Sequence, residues 1–294
     1  MISLGLGLVA ALAWGVHDLC VRSVSRRADM LACLGAVFAL GLALVLPLWV
    51  WQQLSGDPDL DAAAAGRAGV GLVEIGRGVA VGALFALANY GLYRAFASGP
   101  VRLVAPVTAA YPVLSVGLAA LGGAAIGADR WLAVAAVIAG IALVASTVDP
   151  DEPPFDRRVA LGWSLAAAVA FASTFALGQH LSAAGGAVAT LVVTRAVALA
   201  AVLLAMLGGA GLRAPPRDTW PLVAVMAAAD ALALGAVFLA GGLPDAAFAT
   251  VSASMFGAVT IVLARVAFGE RLAVRQWAGV GVAFAAIGYL AGAA

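Results

Sequence analysis

The sequence contains no lysine, so all 16 of its basic residues are arginine. Charge of either sign is scarce, at 11% of 294 residues, against about 25% in an average soluble protein. The charges nearly cancel, to +1, which argues against nucleic acid or another polyanion as partner. Only two cysteines are present, Cys20 and Cys33. They build no disulfide framework, and with no His/Cys cluster beside them they read as packing residues, not metal ligands. Histidine is equally rare, at His17 and His180. No nucleotide-cradling glycine loop is present, so ATP is not the direct driver of whatever the protein does. The zinc-protease pattern H-E-x-x-H and the nucleophile pattern G-x-S-x-G are missing too, so we expect no catalytic residue, no metal and no cofactor.

What fills the space is apolar sequence: 64% of residues are hydrophobic and the mean hydropathy is +1.08. A soluble fold would leave much of that exposed as sticky patches, whereas a bilayer absorbs it. A spanning helix needs about 20 mostly apolar residues. Polar and turn-forming breaks divide the chain into ten such runs, near 3–22, 30–51, 78–97, 100–123, 130–148, 158–181, 186–209, 219–242, 245–267 and 273–293. The first run has no basic residue before it, as a cleaved signal would, so we read it as a retained first span. The break "DPDEPPFDRR" divides the spans five and five. We therefore expect domains at 1–148 and 159–294, with 149–158 as a short linker.

The halves resemble each other. With Trp131 set on Trp277, 146 positions on, "WLAVAAVIAGIALVAS" lies over "WAGVGVAFAAIGYLAG". At a shift of 157, "VAALAWGVHDLCVR" lies over "AAAVAFASTFALGQ". Arginine is more informative than these overlays. It marks the loops after the first, third, seventh and ninth spans: Arg22, Arg26 and Arg27; Arg94 and Arg102; Arg213 and Arg217; Arg271 and Arg275. The loops after the sixth and eighth spans have none. Five spans per half turn equivalent loops to opposite sides, so the repeat is inverted, as in alternating-access transporters. The positive-inside rule then puts the odd-numbered loops in the cytoplasm and both termini outside, with Arg67 and Arg130 as exceptions. The expected fold is all-α and integral to the membrane, with ten transmembrane helices in two inverted five-helix repeats.

Short motifs carry a resemblance to a family. "RVAFGERLAVRQWAGVGVAFAAIGYL" resembles the close of an EamA-type repeat of the drug/metabolite transporter (DMT) superfamily, and "LAWG" at 12–15 resembles its first-helix motif. "GPVRLVAPVTAAYPVL" resembles its fourth helix, with Pro106, Tyr111 and Pro112 in place, and "TRAVALAAVLL" its arginine-bearing second helix. The first half departs from the pattern: it lacks the Gly-Glu close and has no arginine equivalent to Arg195. In the ninth span, Ser252 and Ala258 stand where the fourth has Pro106 and Pro112. The resemblance implies the DMT fold in the inner membrane and secondary transport of small organic solutes, often export. A lipid-flippase subunit or a facilitative exchanger of the same superfamily is the alternative.

Ionisable residues at membrane depth are the first functional candidates. Asp230 lies mid-way along the eighth span and Arg195 about nine residues into the seventh. The two either line a cavity and bind a zwitterion, with Asp230 carrying a coupling proton, or form a fixed structural pair. Trp14, His17 and Asp18 share one face of the first span. Trp14 then offers a stacking surface. Asp18 is a second candidate for proton coupling, although its place near the end of the span suggests a hydrated surface position. Asn89, Tyr90 and Tyr93 in the third span, Tyr111 beside Pro112 in the fourth and Ser252 in the ninth complete the candidate substrate site. Ser252 and Ser254 also read as bonded to their own helix, and Phe256 as lipid-facing packing. Glu270 reads as structural, favouring the start of the last helix. The pairs Gly78/Gly82, Gly123/Gly127 and Gly288/Gly292 read as close helix contacts. One arginine, two aspartates and aromatics suit an amino acid or a related amine. Ten spans can enclose such a site in one chain, so we expect a monomer, with the bilayer, a small solute and protons as partners.

Overall fold

The computed structural model describes residues 2–25, 27–55, 72–114, 127–146, 154–209, 211–243, 246–269 and 273–292. These are helical, with no strand among them. The helices are α1 (Ile2–Val24), α2 (Met30–Ser55), α3 (Leu72–Ser98), α4 (Val101–Ala109), α5 (Ala128–Ser146), α6 (Arg157–Gly185), α7 (Ala187–Gly208), α8 (Trp220–Ala240), α9 (Ala246–Ala253), α10 (Phe256–Phe268) and α11 (Val274–Gly292). Six of the long ones, α1, α2, α3, α6, α7 and α8, are apolar and long enough to cross a membrane. The two 19-residue helices, α5 and α11, would each rise about 28 Å. The fourth span is a shorter apolar helix, Val101–Leu114, and the ninth is α9 followed by α10. Each expected span therefore corresponds to helix over its described residues.

Polar residues set the helix ends. Asp29 accepts from the Ala32 amide at 2.9 Å, and Asp156 from those of Arg158 and Val159 at 2.9 and 3.2 Å, so two N-termini have their free N–H groups met. Gln276 Oε1 does the same for Ala273 N at 2.8 Å. Gly269, at φ +66°, ends α10 in the left-handed conformation that only glycine adopts without strain. Helix α3 begins six residues before the expected span. Glu74 and Arg77 pair at 3.3 Å one turn apart, so the polar stretch we placed in a loop is helix. Glu270, Arg271 and Gly123 lie outside the described residues. Trp277 is 38% exposed, with the Arg265 guanidinium 5.8 Å over its ring.

Spans four and nine are both interrupted. In the fourth, Pro112 has no N–H, and the ladder shortens around Ala110, where Ala110 N donates to Val107 O and Val113 N to Ala110 O. The ninth has no proline but does the same, with Met255 N donating to Ser252 O and Gly257 N to Ser254 O. The substitutions Ser252 and Ala258 thus leave this half of the break in place. The two broken spans cross at Gly257. A Cβ there would lie 2.8 Å from Ala109 Cβ and 2.9 Å from Ala105 O. Gly257→Ala is expected to push the spans apart and destabilise the fold by about 1–3 kcal/mol, read as a lower thermal midpoint of the purified protein.

The packing repeats itself when the halves are exchanged. Helix α1 packs on α8 as α6 packs on α3, α2 on α8 as α7 on α3, and α1 on α9 and α10 as α6 on α4. Helices that would exchange with each other also touch: α2 with α7, α4 with α10, and α5 with α11. These pairs run antiparallel. Gly35 lies by Val202 and Met206 while Gly41 lies by Arg195. The Tyr289 hydroxyl donates to Asp129 at 2.7 Å while Gly140 lies by Gly279 and Ala283. A two-fold relation that maps antiparallel partners onto each other has its axis across the helices. The halves are therefore inverted. Gly78 and Gly82 admit Val193 and Val197 of α7, as expected of a close contact, but nothing lies within 4 Å of a Cβ at Gly288 and only Asp129, two residues on, near Gly127. Those two are not packing glycines here.

Candidate functional site

Arg195 on α7 and Asp230 on α8 are buried and joined, Nη2 to Oδ2, at 2.9 Å. The other oxygen, Oδ1, accepts from Trp14 Nε1 on α1 at 3.0 Å. The carboxylate is thus met on both oxygens by residues of two other helices, and so fixes the tilt of the Trp14 ring. Gly41 on α2 makes room for the arginine: a Cβ there would lie 2.1 Å from Nη1 and 2.9 Å from Cζ. Arg195 Nε and Nη1 have no hydrogen-bond partner, so the arginine is held through one corner of its fork. Gly41→Ala is expected to displace the guanidinium and cost about 1–3 kcal/mol, visible in the thermal midpoint. Nothing in the sequence around Gly41 marked it, because its role is set from α7.

In front of the Trp14 ring lies a small, partly open cavity of about 10 Å³, room for about one water molecule. Trp14, His17 and Asp18 of α1, Asn89 and Leu92 of α3, Phe171 and Phe175 of α6, and Phe256 of α10 line it. Both halves contribute, and α1 and α6 do so from equivalent positions. The 157-residue shift that overlays the first and sixth spans sets Trp14 on Phe171 and Asp18 on Phe175. Trp14 meets Phe175 at 5.2 Å, Phe256 edge-on at 6.1 Å and Phe171 at 6.5 Å between centroids. Asp18 Oδ1 faces His17 Nδ1 at 3.2 Å. Its Oδ2 lies 3.3 Å from the Thr260 hydroxyl, whose single hydrogen it shares with Phe256 O at 2.8 Å. Asn89 Nδ2 donates to Phe85 O, its own preceding turn, at 3.0 Å.

The candidates thus separate. Trp14, His17, Asp18 and Asn89 meet at one cavity. Asp18 is 1% exposed and not at a hydrated surface, because α10 covers that end of α1. Phe256 is likewise buried, not lipid-facing, since the break at Ser254–Met255 turns it onto Trp14. Arg195 and Asp230 lie behind the Trp14 ring and do not line the cavity. Tyr93 is buried with its ring 6.1 Å from His17, and its hydroxyl has no partner. Tyr90 is turned to the α3–α6 contact, edge-on to Trp163 at 5.5 Å, with Arg94 over the same indole. The Tyr111 hydroxyl donates to Thr250 O at 2.6 Å, tying the fourth span to the ninth, and its ring packs on Phe175 at 5.1 Å. Ser252 Oγ bonds across to Leu4 O at 3.2 Å as well as to Ala249 O on its own helix. Cys20 and Cys33 are buried free thiols. Among the described residues, no group of three or more His, Cys, Asp or Glu could hold a metal ion. Thr260, Phe171 and Phe175 were missed from the sequence, because an apolar span offers phenylalanine and threonine everywhere and only tertiary packing selects among them.

The model of the family described as "EamA-like transporter family" matches residues 1–146 and again 158–291. A solved structure, described only as the crystal structure of a protein, superposes with a TM-score of 0.67 at 16% identity. The superposition covers 98% of this chain and 94% of that one. At that identity the likeness speaks for the fold alone. No curated protein matches the sequence.

Proposed function

Because the chain belongs to the EamA-like transporter family, whose members are membrane transporters of the DMT superfamily and not enzymes, we propose that it moves a small organic solute across the inner membrane by alternating access. The observation that carries the reading is the cavity in front of Trp14. It is built by both inverted halves, so a rocking of one half against the other would open it to either side in turn. It holds a buried carboxylate, Asp18, that no arginine neutralises. Asp18 is the group we assign to coupling, by exchange of a proton against substrate. The groups facing it are His17 on its own helix, Thr260 of α10 and Asp230 of α8.

Asp230, the other coupling candidate, has both oxygens engaged by Arg195 and Trp14. We assign that pair to positioning: it holds the Trp14 ring as one wall of the cavity. Tyr111 and Ser252 hold the ninth span to the fourth and first. The two repeats, 1–148 and 159–294 about the linker 149–158, move as the two halves, within a monomer. The arginine-bearing loops face the cytoplasm and both termini face out.

The test is a thermal-stability screen of the purified protein against a broad panel of metabolites, beside Phe171→Leu in the cavity wall. A solute that binds only the folded state raises its midpoint. A chemical class that stabilises the native protein, loses that effect in Phe171→Leu and exchanges across proteoliposomes supports the reading. A class that stabilises both proteins equally places the site elsewhere.

A further inference from the structure

We propose that the cavity, once widened by movement of the two halves, takes an organic cation, a small ammonium carrying an apolar group. The inference rests on the reading of the cavity as the substrate site, and concerns what that site recognises.

The indole N–H of Trp14 is engaged by Asp230, and the Thr260 hydroxyl by Phe256 O and Asp18. Asn89 Nδ2 donates to its own helix. An ionised Asp18 only accepts, so His17 Nδ1 must carry the hydrogen between them, which leaves Nε2 on the far side of the ring. That Nε2 is buried and has no partner. Beside one further N–H of Asn89 and the unpartnered His17 Nε2, what remains for a ligand is a set of acceptors, the Asp18 carboxylate and the Asn89 carbonyl. An ammonium group donates and accepts nothing, and so complements that set.

Charge and surface agree. Asp18 is met by a threonine hydroxyl and the His17 imidazole, with no arginine at either oxygen. No arginine lines the cavity, and Arg195, which would receive the carboxylate of a zwitterion, is held behind the Trp14 wall by Asp230. Trp14, Phe171, Phe175 and Phe256 supply the rest of the lining, and aromatic faces attract a cation through the ring quadrupole. The repeat deepens the contrast. The position equivalent to Asp18 in the second half is Phe175, so one face of the cavity offers charge and the opposite face an aromatic ring. An amino acid, the class that composition alone suggested, finds no arginine among the lining residues for its carboxylate.

Four probes of similar size separate the possibilities: benzylammonium, benzyl alcohol, benzoate and phenylalanine. Their binding to the full-length protein in detergent is measured by thermal shift and calorimetry, for the native chain, Asp18→Asn and Phe175→Leu. Phe171→Leu replaces the last if it fails to fold. The expected result is that benzylammonium binds at least about tenfold more tightly than the other three, that Asp18→Asn removes this preference, and that the phenylalanine variant weakens binding of whichever probes bind. If benzyl alcohol, benzoate or phenylalanine binds as well as the cation and is still weakened by Phe175→Leu, the cavity is the site but the cation class is wrong. If benzylammonium binds and neither variant alters it, the cavity itself is the wrong site. If none of the four binds, the cation proposal falls.

Discussion

Asp230→Asn is expected to destabilise the folded protein by about 3–5 kcal/mol, the range seen when one partner of a buried ion pair is removed. The reason is what the substitution leaves behind. Arg195 is fully buried, and two of its nitrogens already lack partners. With Asp230 neutral, the guanidinium stands in an apolar interior with no anion to offset its desolvation. The Trp14 indole would still find an amide oxygen, so this loss falls on the arginine. Arg195→Gln is expected to cost less, because the carboxylate keeps its bond to Trp14 and no guanidinium is left buried without its partner. The double variant should recover part of the loss, giving a coupling of roughly 1–3 kcal/mol between the two sites. Denaturation of the four proteins in one detergent measures this cycle. It also separates the two roles these residues can have. A folded double variant that still transports assigns the pair to the scaffold. One that folds and does not transport returns it to the substrate path.

Much of this arrangement was legible before the structure. Spans of about 20 apolar residues leave few options in a bilayer, and arginine in alternate loops of both halves required inversion. The grouping of Trp14, His17 and Asp18 followed from helical spacing alone. The rest depended on contacts between distant residues. Trp14 and Asp230 are 216 positions apart, and an indole placed in the sequence as a stacking surface proves also to be the donor that caps a buried acid. Gly41 lies in an unremarkable apolar run and matters only because a guanidinium rests on it. The ninth span breaks without a proline, through three-residue hydrogen bonds at Ser254–Met255, and that break puts Phe256 on the cavity. Tyr90 failed for a simpler reason. It is adjacent to Asn89, but its ring turns to Trp163 in the α3–α6 contact. A span buried on most sides hides such choices, because its apolar pattern looks the same on every face.

Asp18→Asn is expected to leave a folded protein whose transport no longer responds to a pH gradient. Asparagine nearly matches aspartate in volume and still accepts from Thr260, so the packing of α1 on α10 has little reason to change. What is lost is the charge. A bound solute that donates to the carboxylate loses a charge-assisted bond, worth about 1.5–3 kcal/mol, which is roughly a ten- to hundredfold fall in affinity. The site also loses its means of exchanging a proton. Counterflow and pH-driven uptake in proteoliposomes distinguish these effects. In the native protein an imposed gradient should drive solute against its concentration. In the variant the gradient should do nothing, and any residual counterflow should require proportionally more solute. The nearby acid gives an internal control. Asp230 is as deeply buried, but both of its oxygens are occupied, so a variant there that still folds should keep its response to the gradient. Full pH-driven uptake by Asp18→Asn would remove the carboxylate from the coupling step, and the same cavity would then have to work as a facilitative path.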